Sequence, residues 1–150
     1  MTPGRPLSRR NTPPLWLKQE PRLAAAIQRA EGLTAARRHV LLDSLAAMPE
    51  PDRLCHGDFH PGNIMGPPGQ EVLVDWLDAR RGDPAADACR TYVLMRPSAP
   101  EWASCYVDLF AGHTGESRER IFRWLPIVAA ARLAEGVSSA VLMEMIESGR

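Results

Sequence analysis

The stretch His56-Gly57-Asp58-Phe59-His60-Pro61-Gly62-Asn63, followed by Val72-Leu73-Val74-Asp75-Trp76, decides how the rest of the chain is read. Asp58 and Asn63 stand five residues apart across Pro61 and Gly62, so the segment is a loop and not a helix. A Pro/Gly turn, Gly66 to Gly69, and a short apolar run then deliver Asp75. A hairpin of that length brings Asp75 back beside Asn63. One loop would hold a base and an oxygen ligand, and the next strand end a second oxygen ligand. Phosphoryl transfer asks for that set: a carboxylate to orient the attacking hydroxyl, and an amide and a carboxylate to hold Mg²⁺ on the phosphates.

His56-Gly57-Asp58 with Asn63 has the His-x-Asp-x-x-x-x-Asn spacing of the protein-kinase catalytic loop, and Val74-Asp75-Trp76 stands where kinases carry Asp-Phe-Gly. With Gly82-Asp83-Pro84-Ala85-Ala86-Asp87 as a third motif in order, the sequence resembles the aminoglycoside phosphotransferase and choline kinase family. The resemblance implies an α+β, mostly helical fold: the C-terminal lobe of the protein-kinase-like fold, with a small β-hairpin carrying the catalytic loop. It implies Asp58 as catalytic base, Asn63 and Asp75 as Mg²⁺ ligands, ATP or another nucleoside triphosphate as donor, and a small-molecule hydroxyl as acceptor. His56 would shape the loop by hydrogen bonding. His60 would face the phosphates or pack beneath them. Asp87 would tie the loop down from a helix by accepting backbone hydrogen bonds.

The likeness covers one lobe. Kinase-type enzymes cover ATP with a glycine-rich loop and set a strand lysine on the phosphates. Before His56 there is no Gly-x-Gly-x-x-Gly, and Lys18 is the only lysine of the chain. The expected layout is a Pro/Arg-rich flexible arm over 1–15 and a phosphotransferase C-lobe over 16–150, without the ATP-covering lobe. A separate N-lobe chain or self-association would then cover the apolar face left open.

Acidic and basic residues balance at 18 each, which gives no global argument for nucleic acid or an anionic membrane as partner. No apolar run is long enough to span a membrane. Cys55, Cys89 and Cys105 are odd in number and lack metal spacing, so they read as reduced thiols of a cytoplasmic protein. Trp16, Trp102 and Trp124 read as core or lobe-packing residues. Asp78, Arg80 and Arg81 read as a solvated loop, with an arginine meeting phosphate or substrate as the alternative. Acidic groups on later helices, such as Asp108 or Glu116, are candidates to receive a cationic substrate.

Helices are expected from Pro21 to Gly32, from a Thr34 cap to Ala47, and from an Asp83 cap through Pro84 to Arg96. Further ones are expected from a Ser98/Glu101 capping box to Gly112, from Ser117 to Glu135 with a break at Pro126, and from Val137 to Ser148. Val40, Leu41, Leu45 and Met48 form the apolar stripe of the second. Strands are expected at Leu54-Cys55, Ile64-Met65 and Glu71 to Trp76.

The leading reading is an ATP-dependent phosphotransferase. The second is a non-catalytic lobe serving as a remnant or a binding or assembly module. A metal-dependent phosphoesterase, prompted by His56-x-Asp58-x-His60, is disfavoured because only His39 and His113 remain to supply further histidine ligands.

Overall fold

The structure is a computed structural model that describes residues 17–49, 51–137 and 139–148. The arm expected over 1–15, and Trp16, lie outside the described residues.

Two helices come first, α1 (Gln19–Arg29) and α2 (Ala35–Ala46). α1 begins two residues before Pro21, because Leu17 and Lys18 are pinned to a later strand: the Arg81 N–H donates to the Leu17 carbonyl at 3.0 Å. The Arg38 side chain closes its end, donating to the carbonyls of Ile27 at 3.1 Å and Ala30 at 2.7 Å. Thr34 caps α2 as its sequence position requires, accepting from the Arg37 N–H at 3.1 Å. Of the expected stripe, Leu41 and Leu45 are buried. Val40 is 52% exposed, because the buried stripe is narrower than four residues.

Four short strands follow: β1 (Arg53–Cys55), β2 (Ile64–Met65), β3 (Val72–Leu73) and β4 (Arg80–Gly82). They form two antiparallel two-stranded sheets, β1 with β4 and β2 with β3. The expected small hairpin is β2–β3, which takes the chain out of the loop, and the β1–β4 ladder brings the chain in. Residues 56–63 run between the two ladders, leaving from one and entering the other. The expected strand over Glu71 to Trp76 is cut to Val72–Leu73, because Asp75 takes a left-handed conformation (φ 60°, ψ 63°) and Trp76–Asp78 form a short 3₁₀ turn.

Helices complete the chain: α3 (Pro84–Met95), α4 (Pro100–Thr114), α5 (Arg118–Phe122), α6 (Leu125–Leu133) and α7 (Ala140–Ser148). The Ser98/Glu101 capping box does not form. The N–H groups of Ser98 and Ala99 both donate to the Met95 carbonyl, so Ser98 still belongs to the turn closing α3, and Pro100 takes the first turn of α4. Gly115, left-handed at φ 77°, ends α4. Pro126 splits the long helical run as expected, into the abutting α5 and α6, and sits in the first turn of α6 where no donor is missed. The last helix starts at Ala140 and not at Val137, since Ser139 accepts from the Leu142 N–H at 3.1 Å and so caps it.

α6 is the centre of the core. All but two of its nine residues are buried, and it packs against α1, α2, α3 and α7. An apolar helix of this kind is stable only when enclosed on all sides. Its three consecutive alanines, Ala129 to Ala131, let neighbouring helices approach closely. α3 presents Ala85, Ala86, Ala88 and Cys89 to the same core. That fixes α3 directly beneath the loop of residues 56–63.

Candidate active site

The loop is held from below by one carboxylate. Asp87 accepts the backbone N–H of His56 through Oδ2 and of Gly57 through Oδ1, both at 2.8 Å. Burial raises its carboxyl above the ordinary value, against the pull of those two donors. Gly57 has φ +82°, and a Cβ there would lie 2.4 Å from the Asp78 carbonyl oxygen. Only glycine fits the turn that presents Asp58.

His56 is 4% exposed and both ring nitrogens are engaged. Nε2 lies 2.9 Å from the Val74 carbonyl, and Nδ1 accepts the Asp58 N–H at 3.2 Å. This fixes the tautomer with the proton on Nε2 and leaves the ring no lone pair for chemistry. His56 ties the loop to the strand leading to Asp75, and Trp76 packs on it with ring centroids 4.6 Å apart. Thr91 adds a second tie from α3, donating to the Phe59 carbonyl at 2.8 Å.

Asp58 is reached from three directions. The Asn63 amide nitrogen donates to its carbonyl at 2.8 Å and approaches its Oδ2 at 3.4 Å. His60 Nε2 lies 3.6 Å from the same Oδ2, while His60 Nδ1 accepts the Gly62 N–H at 3.1 Å. His60 therefore flanks Asp58. Arg90 Nη2 lies 3.4 Å from Oδ1.

Arg90 is the main participant that the sequence reading missed. Its guanidinium also donates to the Gly57 carbonyl and to Glu135 Oε1, the latter at 2.7 Å. Burial works against its charge, but Glu135 and Asp58 overcome that and push its pKa up. Glu135 in turn is held below the usual carboxylate range by Arg90 and Arg132, in spite of its burial. These partners lie 32 and 45 residues from Arg90 along the chain, and no local pattern signals them.

The third group comes from the second ladder. The Val74 N–H donates to the Asn63 carbonyl at 2.9 Å, extending the β2–β3 pairing and setting Asp75 one step beyond Asn63. Asp75 is exposed at the end of this segment. Asp75 is the only non-glycine residue with positive φ among the described residues. A backbone held in that region costs about 1–3 kcal/mol and clusters at functional sites.

The donors suit a hard cation of the Mg²⁺ type. The amide nitrogen of Asn63 is committed to Asp58, and its oxygen accepts no hydrogen bond among the described residues. Among them, too, no three His, Cys, Asp or Glu side chains converge as a metal cage. Mg²⁺ keeps several waters and takes one or two protein oxygens beside substrate phosphates, and the amide oxygen of Asn63 and the carboxylate of Asp75 are donors of that kind.

The other candidates are structural or already paired. Asp83, 1% exposed, caps α3 through the Ala85 N–H at 2.9 Å, takes a two-pronged bond from Arg120 at 3.1 Å, and accepts from Trp124 Nε1 at 3.2 Å. Asp78 pairs with Arg22 at 2.8 Å and Arg81 pairs with Asp52, so the segment after Asp75 is tied down and is not a free solvated loop. Trp124 is core, as expected. Trp102 is 70% exposed and is not part of the core, because it lies on the outer face of α4. Cys55, Cys89 and Cys105 are free thiols. Burial, with Asp87 and Asp83 nearby, pushes Cys55 up to about 12 and leaves it inert at neutral pH.

A loop of this spacing, anchored by a helix aspartate and crowned by a left-handed aspartate on a helical bed, defines the C-terminal lobe of a kinase-like fold. Solved structures agree: the apo form of a thermostable mutant of aminoglycoside phosphotransferase APH(4)-Ia superposes with a TM-score of 0.57 at 18% identity, covering 88% of this chain and 48% of that one. The D198A form of that protein, in a ternary complex with ADP and hygromycin B, gives 0.50 at 19% identity over 87% of this chain and 45% of that one. The chain thus spans about half the length of the structures it resembles. The sequence model of the phosphotransferase enzyme family matches residues 1–123, and the chain belongs to that family. No curated protein sequence matches it. Among the described residues no helix is long and apolar enough to cross a membrane.

Proposed function

We propose that the chain carries the catalytic half-site of an ATP-dependent phosphotransferase acting on a small-molecule hydroxyl. One observation carries the reading: Asp58, Asn63 and Asp75 are gathered on two adjoining backbone segments, one of them pinned by the half-buried Asp87. Asp58 orients the acceptor hydroxyl and takes its proton as the oxygen attacks the γ-phosphorus and the bond to ADP breaks. Asn63 through its amide oxygen and Asp75 through its carboxylate would hold Mg²⁺. The cation, when bound, neutralises charge on the phosphate oxygens. Nucleotide and acceptor binding by the related phosphotransferase support the same assignment by analogy.

A second reading, a binding or assembly lobe, draws on the exposed β2–β3 ladder, where Met65 and Val72 are 57% and 59% exposed. Calorimetric titration of the chain with ATP, with and without Mg²⁺, separates the two. The phosphotransferase reading expects metal-dependent binding that Asp75→Asn weakens. Absence of any binding would favour the assembly lobe.

A further inference from the structure

A cavity of about 90 Å³ opens between α1, α6 and the turn after Asp75. Its charged lining is Arg22, Arg29, Arg80, Arg90, Asp78 and Glu135, and most of the remaining wall is apolar side chains of α1, α3 and α6. Both carboxylates are already answered. Asp78 is paired with Arg22 at 2.8 Å, and Glu135 with Arg90 at 2.7 Å and with Arg132. Arg80 is half-buried and donates only to carbonyls, of Ala79 at 2.7 Å and Leu77 at 3.4 Å. Arg29 has no carboxylate within ion-pair distance among the described residues. The cavity therefore holds more positive than negative groups, with part of that excess withdrawn from water. A half-buried guanidinium without a carboxylate is a natural anion receptor.

Arg90 forms the wall between the cavity and Asp58, touching Asp58 Oδ1 at 3.4 Å. Arg90 is held by three partners, the Gly57 carbonyl, Glu135 and Asp58. An incoming anion would thus meet Arg80 and Arg29, not displace Arg90. The volume suits a carboxylate or phosphate head and not a whole sugar. The acidic residues that would receive a cationic acceptor are occupied: Asp108 pairs with Arg118, and Glu116 with Arg120 at 3.1 Å.

We infer that this cavity is an anion subsite and takes a small compound bearing a carboxylate or phosphate, in preference to a cationic one. The anion selectivity rests on the cavity alone and stands apart from the phosphotransferase reading. The test uses three probes of one skeleton on the full chain at constant ionic strength: D-glycerate (anionic), glycerol (neutral) and 2-amino-1,3-propanediol (cationic). Arginine Nε–H resonances report binding without nucleotide or turnover. D-Glycerate is expected to shift Arg80 and Arg29 saturably, and the other two probes to leave them in place. The double variant Arg29→Gln/Arg80→Gln, folded by its amide spectrum, is expected to bind D-glycerate about ten-fold or more weakly. Equal response to all three probes, preference for the cation, or glycerate binding that survives the double substitution would overturn the inference. Glycerate binding as expected with no Mg²⁺–ATP binding would leave the anion subsite standing and remove the phosphotransferase reading. Mg²⁺–ATP binding with no glycerate response would do the reverse.

Discussion

Asp58 is a carboxylate whose neighbours differ in kind: an arginine on Oδ1, and an amide and an imidazole on Oδ2. Contacts on both oxygens hold the direction of the carboxylate. Asp58→Asn is expected to reduce phosphoryl transfer by roughly 10²-fold or more while leaving Mg²⁺–nucleotide binding largely intact. Asp75→Asn is expected to weaken that binding. Steady-state kinetics beside calorimetry checks the division, and equal loss of binding in both variants would end it. A second prediction concerns thiols. Burial raises the pKa of Cys55 and of Cys89, which keeps both protonated and shielded, whereas Cys105 is exposed. Iodoacetamide on the native protein at about pH 8 should modify Cys105 alone, read by peptide mass spectrometry. At this scale the sequence was legible where spacing is local. His56, Asp58 and Asn63 fall within eight residues and their pattern was readable, whereas Arg90 reaches its partners only through the fold.

The elements explain why so short a loop keeps its shape. β1 leads in, β2 leads out, and α3 lies beneath with Asp87 fastening two consecutive N–H groups. Asp87→Ala orphans both donors in a buried place, at about 1–3 kcal/mol each. A loss of roughly 2–5 kcal/mol is expected from urea denaturation. Gly57→Ala is expected to cost about 2–4 kcal/mol, since a left-handed backbone is compounded by a backbone contact 2.4 Å away that cannot swing aside. A variant as stable as the parent would mean that the loop relaxes. Helices with a cap and a stop were readable in the sequence, as at Thr34 and Asp83. β4 was not. Arg80-Arg81-Gly82 shows no apolar alternation, and its pairing with β1 is set by the chain returning from Asp75. The false capping box at Ser98 failed for a related reason: the preceding turn claimed the residue first.

Taken whole, the molecule buries its core around α6 but leaves apolar side chains outside. Leu54, Met65, Val72 and Leu77 are 51%, 57%, 59% and 86% exposed, and all belong to the strands and turn around the candidate site. A two-stranded ladder of two residues a side has little stability of its own, so a covering surface would stabilise it by about 25 cal/mol for each Å² of apolar area removed from water. The chain spans 48% of the structure it superposes on, and in a kinase-like fold the nucleotide lies between two lobes. Met65 and Val72 lie on one exposed ladder beside the candidate site. Sedimentation velocity from about 1 to about 100 µM is expected to show a weight-average coefficient that rises with concentration. Met65→Glu with Val72→Glu should flatten that rise without unfolding the chain, since both side chains already face solvent. A flat profile for the parent would show that this surface tolerates water as it stands. A rise that the double variant leaves unchanged would move the contact elsewhere, with Trp102, 70% exposed on α4, as the next residue to substitute.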